Sequence, residues 1–362
     1  MAAVTGHSMP ASCDVVVVGA GLVGALVARQ LVEKNLSVVV LETQPRAGGM
    51  SFHRPTLALL GTPEPYAALA GRVGEQTALK TWLLTRRNLE ILAALTASFD
   101  GSLDRAGSFR PVKERLAAEL QERSVRLLTQ EGFAATLEDA MEFGMLVGLQ
   151  TQEDLTFDPA ALVDALLDHP DIVLQTDTEV QDLRSGLDDV EILSRKHYMR
   201  SKAVVLASGA HSVRLSARLA RALTVSPLHR VDCDVQVALP VPLVLEDGQV
   251  SIQDCGDFWE LAACPESPDC DPWELLSQTA AQYCPDAKML RRYNGWVARS
   301  SDGLPLVGEL PDLPHVYTVN GLGPWGFSWA FVAVEALIGL MVRDEDPGLL
   351  NLRRFQIGRA HV

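Results

Sequence analysis

Asp14-Val-Val-Val-Val-Gly-Ala-Gly-Leu-Val-Gly24, followed by Ser37-Val-Val-Val-Leu-Glu42, is the stretch whose reading decides the fold. The valine run predicts a buried strand, because β-branched side chains suit a pleated, packed surface. Gly19, Gly21 and Gly24 then fall in a G-x-G-x-x-G spacing. Ala25–Lys34 reads as a helix, and Ser37–Leu41 as a second buried strand that ends at Glu42. Glu42 lies eighteen residues past Gly24. This is a complete βαβ unit of the dinucleotide-binding kind. Gly19 allows the tight turn, Gly21 lets backbone approach a pyrophosphate, and Gly24 lets helix and strand pack closely. Leu22, between the glycines, is a further candidate cofactor contact, and the helix N-terminus offers unpaired N–H groups and a positive dipole end to phosphate. Glu42 suits ribose hydroxyls and repels a 2′-phosphate, which argues against NADP.

Further along, helices are expected at 77–98, 111–129, 159–169 and 328–342. Strands are expected at 173–176, 190–194, 203–206, 306–308 and 316–319. Short runs between 226 and 298, at 231–238, 249–253 and 258–263, read as an antiparallel sheet. The chain has 362 residues, of which 48% are apolar, so two lobes with sizeable cores are expected. With 31 basic and 46 acidic residues the formal charge is −15, a poor match for a nucleic-acid backbone. No apolar run is long enough to span a bilayer, and residues 1–12 lack the positive n-region of a signal peptide. The expected location is cytoplasmic. Six cysteines without a C-x-x-C read as reduced thiols, a local disulfide or metal clip being the other reading, and no metal site is expected. Residues 356–362 fit no element, resemble a reading frame of a sequencing adapter, and are set aside as a non-native tail.

Four blocks together resemble the FAD-dependent D-amino acid oxidase, glycine oxidase and sarcosine oxidase superfamily. They are Val15–Glu42; Gly48-Gly-Met-Ser51; Ala203-Val-Val-Leu-Ala-Ser-Gly-Ala-His-Ser212; and Asp302-Gly-Leu-Pro-Leu-Val-Gly308 with Asn320-Gly-Leu-Gly-Pro-Trp-Gly-Phe327. The resemblance covers about 13–355. It implies an α/β fold: a Rossmann-like FAD-binding domain (13–99, 156–221, 299–355) with an inserted antiparallel-sheet substrate domain (100–155, 222–298). It implies FAD contacts from Arg46, Gly49, Met50, Ser51 and His53, from the backbone of Val180, and from Ala207, Ser208 and Gly209. Gly321, Gly323, Trp325, Gly326 and Phe327 would lie at the flavin, where glycines let N–H dipoles approach the reduced ring.

The implied reaction is oxidation of an amine or amino acid to an imine by hydride transfer to flavin N5. A 2-hydroxy acid substrate, or a role as an electron-transferring or non-catalytic subunit of a heteromeric flavoprotein, stay open beside it, as does a homo-oligomer. In relatives a cysteine seven residues before the aspartate of the D-G-x-P block carries the flavin. Here that position is Gly295. Others use a histidine after the ribose acid, and His53 is placed either to bond the flavin or to hydrogen-bond it. The arginine that amino-acid-specific relatives have five residues before that aspartate is Val297 here. Arg299 is the nearest substitute as a carboxylate anchor, with Tyr293 and Trp259 as further candidates at the reacting site. Trp259 is equally a core tryptophan, and His229 and Arg230 read as solvated loop. No lysine occurs between Lys202 and Lys288, where sarcosine-oxidase-like members use one to assist oxygen. This tilts the reading toward a dehydrogenase.

Overall fold

The computed structural model describes residues 10–45, 51, 56–99, 101–141, 144–195, 197–267 and 269–355. The chain divides into two compact units. The first comprises Met1–His53, Pro159–Val225 and Trp296–Val362. The second comprises Arg54–Asp158 and Ser226–Gly295. The division falls after residue 53, not after 99 as the sequence reading placed it. The reason is the pairing of Thr56–Ala58 with Leu155–Phe157, which ties this segment to the second unit. The long helix Glu75–Ser98 contributes to the same unit, with Trp82 fully buried against Tyr66 and Phe133.

In the first unit, strand Ser12–Val18 lies between Tyr198–Leu206 and Val38–Leu41, both parallel to it. Ile172–Gln175 extends the sheet beyond Val38–Leu41. Val316–Asn320 adds parallel to Tyr198–Leu206 and carries the antiparallel Leu306–Glu309. Val16, Val17, Val39 and Val40 are at most 1% exposed, as expected for strands covered on both faces. Helix Leu22–Val32 packs on Pro159–Leu167 and Ala330–Arg343. Asp158 and Pro159 open the second of these where the acid-proline pair was expected.

In the second unit, an antiparallel-rich sheet runs in the order Lys288–Ser300, Leu223–Asp234, Trp259–Ala263, Val250–Asp254, Leu243–Leu245, Ser108–Val112, Val147–Thr151, Ala135–Asp139. One join, Leu243 to Phe109, is parallel. Two expectations fail here. Pro111 sits in the strand Ser108–Val112 rather than starting a helix, which begins only at Arg115. The region expected to hold strands alone contains the helix Pro272–Tyr283, whose Asp271 side chain accepts from the N–H groups of Trp273 and Glu274. None of the six cysteines is in a disulfide. Among the described residues, no helix is long and apolar enough to cross a membrane.

Candidate functional site

The glycine turn of the first unit is built by close approach. Gly19 has φ +106°, and a Cβ there would lie 2.8 Å from the Ala207 carbonyl oxygen and 2.9 Å from Ser208 Cα. The turns after Ser12–Val18 and Tyr198–Leu206 therefore touch backbone to backbone. A Cβ on Gly24 would sit 1.9 Å from the Gly19 carbonyl oxygen. Helix Leu22–Val32 starts at Gly21 with no capping side chain and no acidic residue in its first turn, so its positive end is left for a ligand. Ser51 reaches this end: its Oγ accepts from the Leu22 N–H at 3.0 Å and is 3.1 Å from where a Gly21 Cβ would be.

Glu42 is held against the same turn. Its Oε2 accepts from the Ala20 N–H at 2.8 Å and its Oε1 from the Gln44 N–H at 2.9 Å. Its backbone carbonyl accepts from the Thr178 N–H at 2.9 Å, which brings the start of strand Val180–Ser185 alongside. Val180 is 9% exposed. Each Glu42 oxygen spends one acceptor direction on backbone and keeps another for ribose hydroxyls. A helix end free of acidic residues, glycine approach and oriented carboxylate all fit an adenine dinucleotide. Arg46, Gly49, Met50 and His53 lie outside the described residues, so His53 stands only as expected from sequence.

The downstream blocks are fastened to this cradle. The Ala207 N–H donates to the Val18 carbonyl at 2.9 Å, and Ser208 and Ser212 share a hydroxyl hydrogen bond of 2.9 Å. Asn320, 1% exposed, donates to the Gly209 carbonyl at 3.0 Å and accepts from the Gly321 N–H at 2.8 Å. Asn320 was quoted in its block without a role, and it pins the two glycine segments together. Gly321 and Gly323 have φ of 72° and 66°. The Gly323 N–H donates to the Ala298 carbonyl at 2.8 Å, and Arg299 bridges Leu322. Two details differ from expectation. Gly326 opens a short 3-10 turn, Gly326–Ser328, which contains the half-buried Phe327 and follows the half-buried Trp325. The helix proper begins after Trp329, at Ala330.

Asp302 of the D-G-x-P turn accepts from Ser300 Oγ and the Leu304 N–H, and pairs with Arg354 through both oxygens at 2.7 and 3.1 Å. Arg354 also donates to the carbonyls of Leu304 and Pro305. Burial opposes the Asp302 charge, but the Arg354 guanidinium outweighs it and holds the carboxyl below its usual range. Nothing in the spacing of Arg354, fifty-two residues downstream, announces this pairing.

The three substrate-side candidates separate. Arg299 is half-buried next to the glycine loop, with its Cβ 3.6 Å from a Cβ built on Gly323. Trp259 is 1% exposed and packs in the apolar core with Val231, Cys233 and Leu261. Of its two readings, pocket wall and core, the structure takes the core. The hydroxyl of Tyr293, on the strand Lys288–Ser300, donates to Asp232 Oδ2 at 3.1 Å. Burial first, then the Asp232 charge, pushes its phenol up. His229 and Arg230 are not loop residues: both lie in the strand Leu223–Asp234, and Arg230 is 7% exposed. His229 shares a 2.9 Å hydrogen bond with Asn294. Beside Arg230 stand Asp232 and Glu260, 6% and 7% exposed, which sequence reasoning passed over. The signal was there: Arg230-Val-Asp-Cys-Asp234 alternates charged and apolar residues within one strand.

The comparisons agree with this geometry. A family profile described as FAD dependent oxidoreductase matches residues 14–338. Glycine oxidase of Geobacillus kaustophilus is 25% identical over 377 residues, covering 91% of this chain and 92% of that protein. The tRNA 5-methylaminomethyl-2-thiouridine biosynthesis bifunctional protein MnmC of Hydrogenovibrio crunogenus is also 25% identical. It matches over 94% of this chain, which spans only 57% of that relative's length. Among solved structures, L-amino acid deaminase from Proteus vulgaris has a TM-score of 0.77 at 18% identity, covering 97% of this chain and 96% of that one. L-proline dehydrogenase from P. horikoshii has a TM-score of 0.77 at 16% identity, covering 96% and 98%. With the profile spanning most of the sequence and the cradle built as that family's cofactor requires, the chain belongs to the FAD dependent oxidoreductase family, whose members use FAD.

Proposed function

We propose that the protein is an FAD-dependent oxidoreductase that oxidises the C–N bond of an amine or amino acid to an imine. The observation that carries the cofactor half is the cradle of Gly19, Gly21 and Gly24 with Glu42 turned into it by two backbone N–H groups. The substrate half is supported by the relatives' names: one is a glycine oxidase, the other takes part in the biosynthesis of 5-methylaminomethyl-2-thiouridine, which carries an amine. A tRNA partner suits this chain less well, because its charge of −15 repels a polyanion.

On this reading the first unit binds FAD and the second binds substrate. FAD, when bound, supplies the two-electron acceptor. The helix end at Leu22 and Ser51 would hold pyrophosphate, Glu42 the adenosine ribose, and the loop Asn320–Phe327 would present N–H groups where negative charge gathers. The sheet of the second unit would orient the donor and keep water away, which is most of what such a reaction asks of a protein.

The test is addition of amines, α-amino acids and 2-hydroxy acids to the purified protein under argon. The yellow absorbance is expected to bleach with an amine or amino acid. Bleaching by 2-hydroxy acids alone would assign the other reaction. The missing lysine between Lys202 and Lys288 predicts faster turnover with an artificial dye than with oxygen, and equal or faster oxygen turnover would contradict that part.

A further inference from the structure

Arg354 reaches the turn after Ser300 from far along the chain and commits its whole guanidinium there. Nε and Nη2 donate to the two oxygens of Asp302 at 2.7 and 3.1 Å. Nη2 also donates to the Leu304 carbonyl at 2.8 Å, and Nη1 to the carbonyls of Pro305 and Asn351 at 2.8 and 3.2 Å. Every N–H of the fork thus has an acceptor, and all but the Asn351 carbonyl belong to the turn. From inside the turn, Asp302 Oδ1 accepts from Ser300 Oγ at 2.8 Å and from the Leu304 N–H at 3.0 Å. A β-turn closes on one backbone hydrogen bond, and this one has it: the Gly303 N–H donates to the Ser300 carbonyl at 3.2 Å. The fork fixes the turn far beyond that need.

What the turn holds on its other side is the glycine loop. On the arm before the turn, Ala298 accepts from the Gly323 N–H and Arg299 bridges Leu322. On the arm after it, Leu306 pairs with Asn320. A Cβ built on Gly321 would lie 3.5 Å from both the Ser300 nitrogen and Leu306 Cγ, so this glycine touches both arms at once. The position of Asn320–Gly323 therefore depends on the spacing of the arms, and the groups that close the turn set that spacing.

We propose that Arg354 is a positioning residue for the flavin: by closing the turn Ser300–Leu306 it fixes how the loop Asn320–Phe327 stands to the ring, and so sets how strongly the protein favours reduced over oxidised FAD. The proposal rests on the FAD reading above and adds a residue that touches neither cofactor nor substrate. Backbone dipoles stabilise gathering charge only where they are held in place beforehand. Paired with Asp302, Arg354 is neutral as a unit, so its effect is exerted through geometry. Loosening the turn lets the loop relax away from the reduced ring, which lowers the flavin potential.

The midpoint potential of the bound flavin, read against a reference dye under argon, tests the proposal, with FAD content and melting temperature measured on the same samples. Arg354→Lys keeps the charge and loses the planar fork. Asp302→Asn keeps the size and removes the negative charge. Both are expected to lower the potential, shifting the ratio of reduced to oxidised flavin by roughly threefold to tenfold, about 15–30 mV for a two-electron couple. Charge acting through space alone would leave Arg354→Lys at the wild-type value and raise Asp302→Asn. Arg218→Ala is the control. Arg218 Nη2 donates to the Phe355 carbonyl at 2.8 Å, so its loss loosens the same terminal segment without touching the turn, and the potential should match wild type. Wild-type potentials in both turn variants, whatever their melting temperatures, would overturn the proposal. So would an upward shift in Asp302→Asn, or an equal downward shift in Arg218→Ala. A colourless wild-type protein counts against the FAD reading instead. A yellow wild type that an amine bleaches, with turn variants of unaltered potential, counts only against the role of Arg354.

Discussion

Two glycines three positions apart respond differently to a side chain. At Gly24 a Cβ meets the Gly19 carbonyl at 1.9 Å, a backbone oxygen with no room to move. At Gly21 it meets only Ser51 Oγ at 3.1 Å, which a rotation about one bond relieves. Gly24→Ala is therefore expected to lower the unfolding free energy by roughly 1–3 kcal/mol, the cost of overpacking. Gly21→Ala should unfold within about 0.5 kcal/mol of wild type yet lose FAD, because its methyl stands on the pyrophosphate path. Urea denaturation and bound-flavin absorbance on both variants check this. A Gly21→Ala protein as yellow as wild type would refute the cradle reading. Both glycines were legible in the sequence, because the requirement is steric and lies within a dozen residues. Asn320, Arg354 and Glu260 were not, because what each does depends on a partner from another segment. Asn320 joins Gly209, Arg354 joins Asp302, and Glu260 faces Arg230.

Among the elements, those with a local signature were read correctly. Valine runs gave the parallel strands, and Asp158-Pro159 opened its helix. Pro111 misled because a proline suits both a helix start and a strand, and only the pairing of Ser108–Val112 with Val147–Thr151 decides between them. Helix Pro272–Tyr283 has the same acid-proline opening as Pro159–Leu167, but stood inside a region read for strands. The turn after Ser300 carries a testable element-scale consequence. Asp302 has its carboxyl held below the usual range in the folded chain, so its pairing with Arg354 adds stability above the unfolded carboxylate's titration. That stability is lost as pH falls through the depressed value. Asp302→Asn should cost roughly 1–3 kcal/mol at neutral pH, the range of charged hydrogen bonds, and the deficit should close in acid. Urea denaturation at neutral pH and near pH 3 measures it, and a deficit that does not change with pH would refute the ion-pair account. Glu260 has the opposite sign. Its raised value means the folded chain holds a proton the unfolded chain releases, so its burial opposes folding increasingly as pH rises toward about 7, and Glu260→Gln should remove that slope.

The whole molecule consists of two units with separate chemical tasks on the present account. The first unit carries the glycine turns and Glu42, and the second a charged sheet face with Arg230, Asp232 and Glu260. The family was legible in the sequence from short blocks because three of them lie at the carboxyl ends of the adjacent parallel strands Ser12–Val18, Tyr198–Leu206 and Val316–Asn320. The division between the units was misplaced because Thr56–Ala58 is a three-residue strand, too short to show in a pattern, and its partner lies a hundred residues on. The central claim is that the Gly19–Gly24 cradle with Glu42 binds FAD. The most direct measurement is the visible spectrum of the purified protein, with the cofactor then released by denaturation and identified. The account predicts a flavin spectrum and about one FAD per chain. It also predicts that Glu42→Ala, which removes the acceptor for the ribose hydroxyls and strands the N–H groups of Ala20 and Gln44, loses most of that FAD. A colourless wild-type protein that binds NAD stoichiometrically would contradict it.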